Sequence, residues 1–135
     1  MPIKDIMTRK VVTVPMDMDV YDLQKKFNDL QLHHLLVAED NKIMGVISDR
    51  DVLRCVSPYA GTVAEKERDS RTLRKKAHQI MTRNPITILK TESIKNAGRI
   101  IIDKNVGCLP VVDENGQLQG VVTWRDIFKY GLGER

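Results

Sequence analysis

Ile6-Met7-Thr8-Arg9 recurs as Ile80-Met81-Thr82-Arg83, and this duplication constrains the fold more than any other feature of the 135-residue sequence. At the same shift of 74, Val12-Thr13-Val14 meets Ile86-Thr87-Ile88, and Val20, Leu23 and Phe27 meet Ile94, Ala97 and Ile101. Leu35-Leu36-Val37-Ala38-Glu39 then falls on Leu109-Pro110-Val111-Val112-Asp113. One extra residue before Gly120 moves the shift to 75, at which Gly45-Val46-Ile47-Ser48-Asp49-Arg50-Asp51-Val52 meets Gly120-Val121-Val122-Thr123-Trp124-Arg125-Asp126-Ile127. An order-preserving match with a single turn insertion marks a tandem repeat.

Each copy carries the same periodicities. A short β-rich segment (11–14; 86–89) precedes apolar residues at helical spacing, Val20, Leu23, Phe27 and Leu30 in one copy and Ile94, Ala97 and Ile101 in the other. Two apolar strands follow (35–38 and 43–47; 109–112 and 118–122), joined by the polar turns Glu39-Asp40-Asn41 and Asp113-Glu114-Asn115-Gly116. A second, short helix closes each copy at 49–56 and 124–130. The predicted class is α/β (α+β), built from tandem βαββα units. Units of about 60 residues are marginal alone, so the apolar faces of each are expected to be covered by the other. The expected organisation is a first repeat at 1–56, a linker at 57–77 and a second repeat at 78–135. Within the linker, Ser57-Pro58-Tyr59-Ala60-Gly61 reads as a break and 62–77 as a charged, solvated helix; the alternative is a basic flap near bound phosphates.

Composition narrows the function classes. Apolar residues make up 41% and charged residues 30%, a globular balance. No run reaches the roughly 18–20 apolar residues that span a bilayer, and Met1-Pro2-Ile3-Lys4-Asp5 lacks the apolar core of a signal peptide, so a cytoplasmic protein with no membrane association is expected. Of the net charge of +4, residues 65–76 supply +3, six basic side chains against three acidic. With the excess so local and no aromatics interleaved, nucleic acid is not the expected partner. Cys55 and Cys108 have no zinc-ligand spacing, and the neighbours His33 and His34 point to opposite faces of a strand, so no metal is expected. No nucleophile elbow, Walker loop or His-Glu-x-x-His is present, so the chain is not expected to be an enzyme.

The segment Gly-apolar-apolar-Ser/Thr-x-Arg-Asp, at 45–51 and 120–126, carries the most chemistry. A strand runs into a helix there, so backbone N–H groups converge on the turn and favour an anion. Arg50 and Arg125 can add charge-assisted contacts, and Asp51 and Asp126 can accept from a ribose diol. Ser48-x-x-Asp51 and Thr123-x-x-Asp126 are equally capping boxes, in which hydroxyl and carboxylate satisfy the helix terminus. Both readings stand on sequence alone. Asp49 adds a carboxylate beside the first turn where the second copy has Trp124, which makes the second turn the better anion site.

These two segments, with Leu109-Pro110-Val111-Val112-Asp113 and the two Ile-Met-Thr segments, resemble CBS (cystathionine β-synthase-type) domains over nearly the whole chain outside the linker. The resemblance implies a Bateman module: two repeats with pseudo-two-fold symmetry, whose cleft between two three-stranded sheets binds AMP, ADP, ATP or S-adenosylmethionine. By position it assigns Asp51 and Asp126 to the ribose, Ser48 and Thr123 to the ribose-phosphate, Thr13 and Thr87 to the adenine pocket, and Arg50 and Arg125 to phosphate. His34 and Cys108 precede the second strand where some members place a basic residue; Cys108 departs from that pattern. The first copy likewise has Leu35-Leu36 where the second has Leu109-Pro110. The resemblance also implies a homodimer, with any effector a separate protein.

Overall fold

The computed structural model describes residues 1–59 and 62–133. The chain opens with a 3-10 turn at Ile3–Asp5, followed by β1 (Thr13–Val14), α1 (Val20–Leu30), β2 (His34–Glu39), β3 (Lys42–Ser48) and α2 (Asp49–Cys55). Next come α3 (Glu67–Thr72), α4 (Ala77–Ile80) and β4 (Thr82–Arg83). The first pattern then returns as β5 (Ile88–Leu89), α5 (Ile94–Lys104), β6 (Cys108–Val112), β7 (Leu118–Thr123) and α6 (Trp124–Gly131). The βαββα order read from the sequence is therefore present in both copies.

Local chemistry sets these boundaries. The Asp19 carboxylate accepts from the Asp22 N–H at 2.9 Å and starts α1; the Ser93 hydroxyl accepts from Asn96 at 3.0 Å and starts α5. Both helices end on a left-handed residue, Gln31 (φ 52°) and Asn105 (φ 53°). Their buried stripes are Val20, Leu23 and Phe27, and Ile94, Ala97 and Ile101. The first hairpin turns on Asp40 and Asn41, both at positive φ, as a two-residue hairpin requires. In the second, Asp113 Oδ1 accepts from the N–H groups of Asn115 and Gln117, each at 2.9 Å.

Two sheets result. One has the order β1-β2-β3-β4, with β1 parallel to β2 (Thr13 opposite Leu36) and β4 antiparallel to β3 (Gly45 opposite Arg83, Val46 opposite Thr82). The other is β5-β6-β7, with Ile88 opposite Val111 and Cys108 opposite Thr123. The expectation of two three-stranded sheets is corrected for the first: Thr82–Arg83 hydrogen-bonds the open edge of β3 and makes a fourth strand. At the matching edge of β7, Thr8 forms only an isolated bridge to Val121, with N–H···O distances of 2.8 and 2.9 Å.

These edge pairings belong to a reciprocal exchange. One compact unit comprises Val12–Asp40 and Met44–Asn84; the other comprises Met1–Val11, Asn41–Ile43 and Pro85–Arg135. The segment leading into each repeat is thus part of the unit built on the other repeat. Ala77 and Met81 lie in the core with Val14, Val20, Leu23, Leu35, Val37 and Ile47, while Ile3 and Met7 lie in the core with Ile88, Ile94, Leu109, Val111 and Val122. The matching backbone bonds repeat at the shift of 74: Ala77 N–H to Met18 O and Ile3 N–H to Glu92 O, both 2.8 Å, then Val20 N–H to Lys75 O at 2.8 Å and Ile94 N–H to Met1 O at 3.0 Å.

The segment read as a solvated linker helix is helical only in short pieces, and it has an anchor. Asp69 is buried and accepts from the Ser57 hydroxyl (2.7 Å) and the Lys66 N–H (2.9 Å), bonds that hold its pKa below the usual carboxylate value. Of the expected break at 57–61, Ala60 and Gly61 lie outside the described residues. Among the described residues no helix is long and apolar enough to cross a membrane, and no group of three or more His, Cys, Asp or Glu side chains could hold a metal ion.

Candidate functional site

β3 and β7 each stop where the side chain of their last residue becomes a helix cap. Ser48 Oγ accepts from the Asp51 N–H at 3.1 Å, while Asp51 Oδ2 accepts from the Ser48 N–H at 2.8 Å. Thr123 Oγ1 accepts from the Asp126 N–H at 3.2 Å, and Asp126 Oδ2 accepts from the Thr123 N–H at 2.9 Å and the Thr123 hydroxyl at 3.1 Å. Both capping boxes expected from the sequence are therefore formed. They occupy only Oδ2 of each carboxylate; Oδ1 of Asp51 and of Asp126 has no hydrogen-bond partner among the described residues. Both acids are half-buried, so one carboxylate can cap a helix and still present an acceptor to a hydroxyl.

Within each repeat the chosen residues gather at one end of a sheet. The Asp49 N–H donates to His33 O at 3.0 Å and the Trp124 N–H to Gly107 O at 3.2 Å, which ties each strand-to-helix turn to the start of the neighbouring strand. Parallel pairing of β1 with β2 brings Thr13 beside that strand start, and pairing of β5 with β6 brings Thr87 to the equivalent place. Thr13, Thr87, Arg50 and Arg125 are exposed, and neither arginine has an ion-pair partner among the described residues.

The first turn has a local side-chain hydrogen bond that the sequence reading did not include. His33 Nδ1 lies 2.9 Å from Asp49 Oδ2, and that contact holds the Asp49 carboxyl below its usual pKa. Asp49 is thus an anion at neutral pH, as the charge comparison assumed, and it is hydrogen-bonded to a neighbouring imidazole. His34 is half-buried, and desolvation pushes its pKa down despite the nearby Asp49 carboxylate, so its ring is neutral at pH 7. Cys108 is buried and desolvation raises its thiol to about 12, so it supplies no charge to a phosphate. Pro110 is fully buried in β6, so neither Pro110 nor Cys108 presents a side chain to solvent.

The glycine of each motif has a role the sequence did not reveal. A Cβ built on Gly45 would lie 2.5 Å from Met81 Sδ and 2.9 Å from Thr82 O; one on Gly120 would lie 2.7 Å from Thr8 O and 3.0 Å from Met7 Sδ. The two duplicated motifs are thus complementary surfaces, with Met-Thr of one repeat seated on the glycine of the other. The signal was present as apolar pairs at helical spacing, Ile3 with Met7 and Ala77 with Met81, that have no place in their own βαββα unit. A cavity of about 280 Å³, lined by Leu89, Lys90, Thr91, Val112, Asp113, Glu114 and Asn115, lies at the opposite end of the second sheet from Thr123; no site residue chosen from the sequence lines it.

The family model described as CBS domain matches the chain twice, at residues 3–58 and 77–133. The chain belongs to the CBS domain family. Its CBS repeats are similar to a CBS domain-containing protein of Dictyostelium discoideum, 32% identical over 127 residues, covering 93% of this chain and 87% of that protein. A homoserine O-acetyltransferase of Methanosalsum zhilinae is 30% identical over 128 residues, which is 94% of this chain but only 23% of the enzyme. Among solved structures, CBSX2 of Arabidopsis thaliana in complex with AMP superposes with a TM-score of 0.81 at 25% identity, over 98% of this chain and 96% of that one. The CBS domain pair of MJ0100, crystallised with 5′-methylthioadenosine and S-adenosyl-L-methionine, shares the fold, with a TM-score of 0.81 at 23% identity, over 100% and 98% of the two chains.

Proposed function

We propose that this CBS pair is a regulatory module that binds an adenosine-containing ligand, AMP, ADP, ATP or S-adenosylmethionine, without turning it over. In each repeat the Asp51 or Asp126 Oδ1 receives a ribose hydroxyl, the Ser48 or Thr123 cap lies beside the ribose-phosphate or its replacement, and Arg50 or Arg125 adds charge. Thr13 and Thr87 flank the base. The observation that carries this reading is the pair of equivalent capping boxes, each with an unspent carboxylate oxygen beside an unpaired arginine. A relative of matching length that crystallises with AMP supports the choice of ligand class.

The second turn is the stronger anion site in this reading, because Trp124 stands where Asp49 places a carboxylate in the first. The module acts in the cytoplasm, on a separate effector protein or through its oligomeric state. A homodimer has support of its own in an exposed apolar stripe on α6, where Trp124, Phe128 and Leu132 follow one another at single-turn spacing. The test is a thermal-shift panel of AMP, ADP, ATP, S-adenosylmethionine and NAD(H), repeated on Asp51→Ala and Asp126→Ala. At a concentration of about 100 Kd a ligand specific to the folded state adds roughly 2.7 kcal/mol. At least one adenosine compound should raise the melting temperature, and Asp126→Ala should reduce that rise more than Asp51→Ala. No rise with any compound would leave a purely structural association module.

A further inference from the structure

We propose that an arginine row, Arg68, Arg71 and Arg74, is a docking surface for a carboxylate-rich segment of a separate protein. The surface is independent of the ligand reading above. It arises from the way the segment joining the repeats divides its side chains. α3 (Glu67–Thr72) runs on past its last residue as a 3-10 turn, in which the Leu73 N–H donates to Ser70 O at 3.1 Å and the Arg74 N–H to Arg71 O at 3.0 Å. Residues three apart share a side of an α-helix and eclipse one another in a 3-10 turn. The pair at 69 and 72 turns inward: buried Asp69 accepts from the Ser57 hydroxyl at 2.7 Å, and Thr72 Oγ1 accepts from the Ser57 N–H at 3.1 Å. The row at 68, 71 and 74 is left outward, and all three arginines are exposed.

Little of this charge is compensated. The Asp69 carboxylate is engaged inside, on Ser57 and on the Lys66 N–H. Arg71 meets Glu67 only at 4.0 Å, an exposed pair of the kind that contributes little, and neither Arg68 nor Arg74 has an ion-pair partner among the described residues. The row is also held in place. Leu73 packs against the core that contains Val20 and Leu23, Leu73 O accepts from the Tyr21 N–H at 3.0 Å, and Lys75 O accepts from the Val20 N–H at 2.8 Å. A surface ordered in advance loses less conformational freedom when a partner arrives.

Guanidinium groups hold carboxylates through two parallel N–H···O bonds. Successive arginines of the row are offset by about 4.5–6 Å along the axis, and side chains on one face of an extended chain recur about every 6–7 Å. Long arginine stems cover the difference, so acidic residues at alternate positions of an extended segment meet the row one to one. Nucleic acid fits less well. Glu65 and Glu67 are exposed beside the row and oppose a continuous phosphate chain, and residues 62–77 contain no aromatic side chain on which a base could stack.

The test uses the whole chain and a fluorescein-labelled dodecapeptide of alternating glutamate and serine, followed by fluorescence anisotropy in low-salt buffer. Two variants remove the same charge from different places. One combines Arg68→Gln, Arg71→Gln and Arg74→Gln; the other combines Lys95→Gln, Arg99→Gln and Lys104→Gln, all exposed on α5. Glutamine has a helix propensity close to that of arginine and lysine, and circular dichroism melts establish that each variant is folded. Three exposed ion pairs together amount to about a tenfold change in affinity. The arginine variant should therefore bind the peptide about tenfold more weakly, the α5 variant should bind it like the wild type, and added salt should release it. If the arginine variant unfolds, Arg74→Gln alone, outside α3, takes its place with a loss of about twofold. Equal weakening in the arginine and α5 variants would show that net charge alone attracts the peptide, and would overturn the docking surface. No binding by the wild type, or tighter binding of an oligothymidylate of the same length, would overturn it as well.

Discussion

Gly120→Ala perturbs the exchange at its tightest point. The new Cβ would lie 2.7 Å from Thr8 O, a backbone atom that cannot rotate away, and 3.0 Å from Met7 Sδ. Relief requires the Thr8 segment and β7 to part by several tenths of an ångström. Overpacking of this kind costs about 1–3 kcal/mol, and the two Thr8–Val121 bonds that weaken with it contribute about 1 kcal/mol each. The total is about 3–5 kcal/mol, a large share of the roughly 5–15 kcal/mol that holds a domain together. At about 3–5 °C per kcal/mol for a chain of this size, the melting temperature should fall by about 10–25 °C. Gly98→Ala is the control: its Cβ meets only Ile127 Cγ2, at 3.6 Å, and in the middle of α5 alanine replaces the poorer helix former. That change should stabilise by about 0.8–1 kcal/mol. Circular dichroism melts of the two variants and the wild type decide the matter. A Gly120→Ala protein that melts within about 2 °C of the wild type would refute the close packing of segment on strand.

Other consequences are open to simpler measurements. Asp126→Ala removes the carboxylate arm of a capping box and should cost about 1 kcal/mol in urea unfolding without ligand, with Asp126→Asn costing less. His34 has its pKa lowered by burial, so the folded state disfavours the protonated ring. Its contribution to stability is complete above the unfolded value of 6.5 and is lost as pH falls through the folded value, a slope in urea titrations that His34→Gln should flatten. Cys108 has its thiol raised from 9.0 to about 12, so the unfolded chain ionises first and stability should decline as pH rises from about 9 towards 12. Cys108→Ala should remove that decline. Phe128→Asp places a charge in the exposed α6 stripe and should shift sedimentation towards the monomer; unchanged sedimentation would remove the stripe from any self-association surface.

Much of this fold is legible in the sequence because it is local. Apolar residues three and four apart gave α1 and α5, the strand pairs stood out between polar turns, and Ser48-x-x-Asp51 and Thr123-x-x-Asp126 gave both helix caps. The fourth strand and the exchange were not legible from local patterns, since Thr82–Arg83 pairs with residues some 37 positions earlier and Thr8 with one 113 positions later. A two-residue strand has no periodicity to detect. The glycine in each motif was read as part of a phosphate turn, whereas its missing Cβ makes room for a methionine and a backbone carbonyl from the other repeat's leading segment. At the candidate site, residue types and their gathering at one sheet end could be read from register. The neutralising effect of burial on His34 and Cys108 could not, because it depends on what surrounds them.

Selective methyl labelling of methionine tests the exchange of leading segments most directly, since each capped strand is packed against one of those segments. Nuclear Overhauser contacts should join the Met7 methyl to the Gly120 Hα protons and the Met81 methyl to those of Gly45. Contacts from Met7 to Gly45 and from Met81 to Gly120 would mean that each segment stays with its own repeat, and would contradict it.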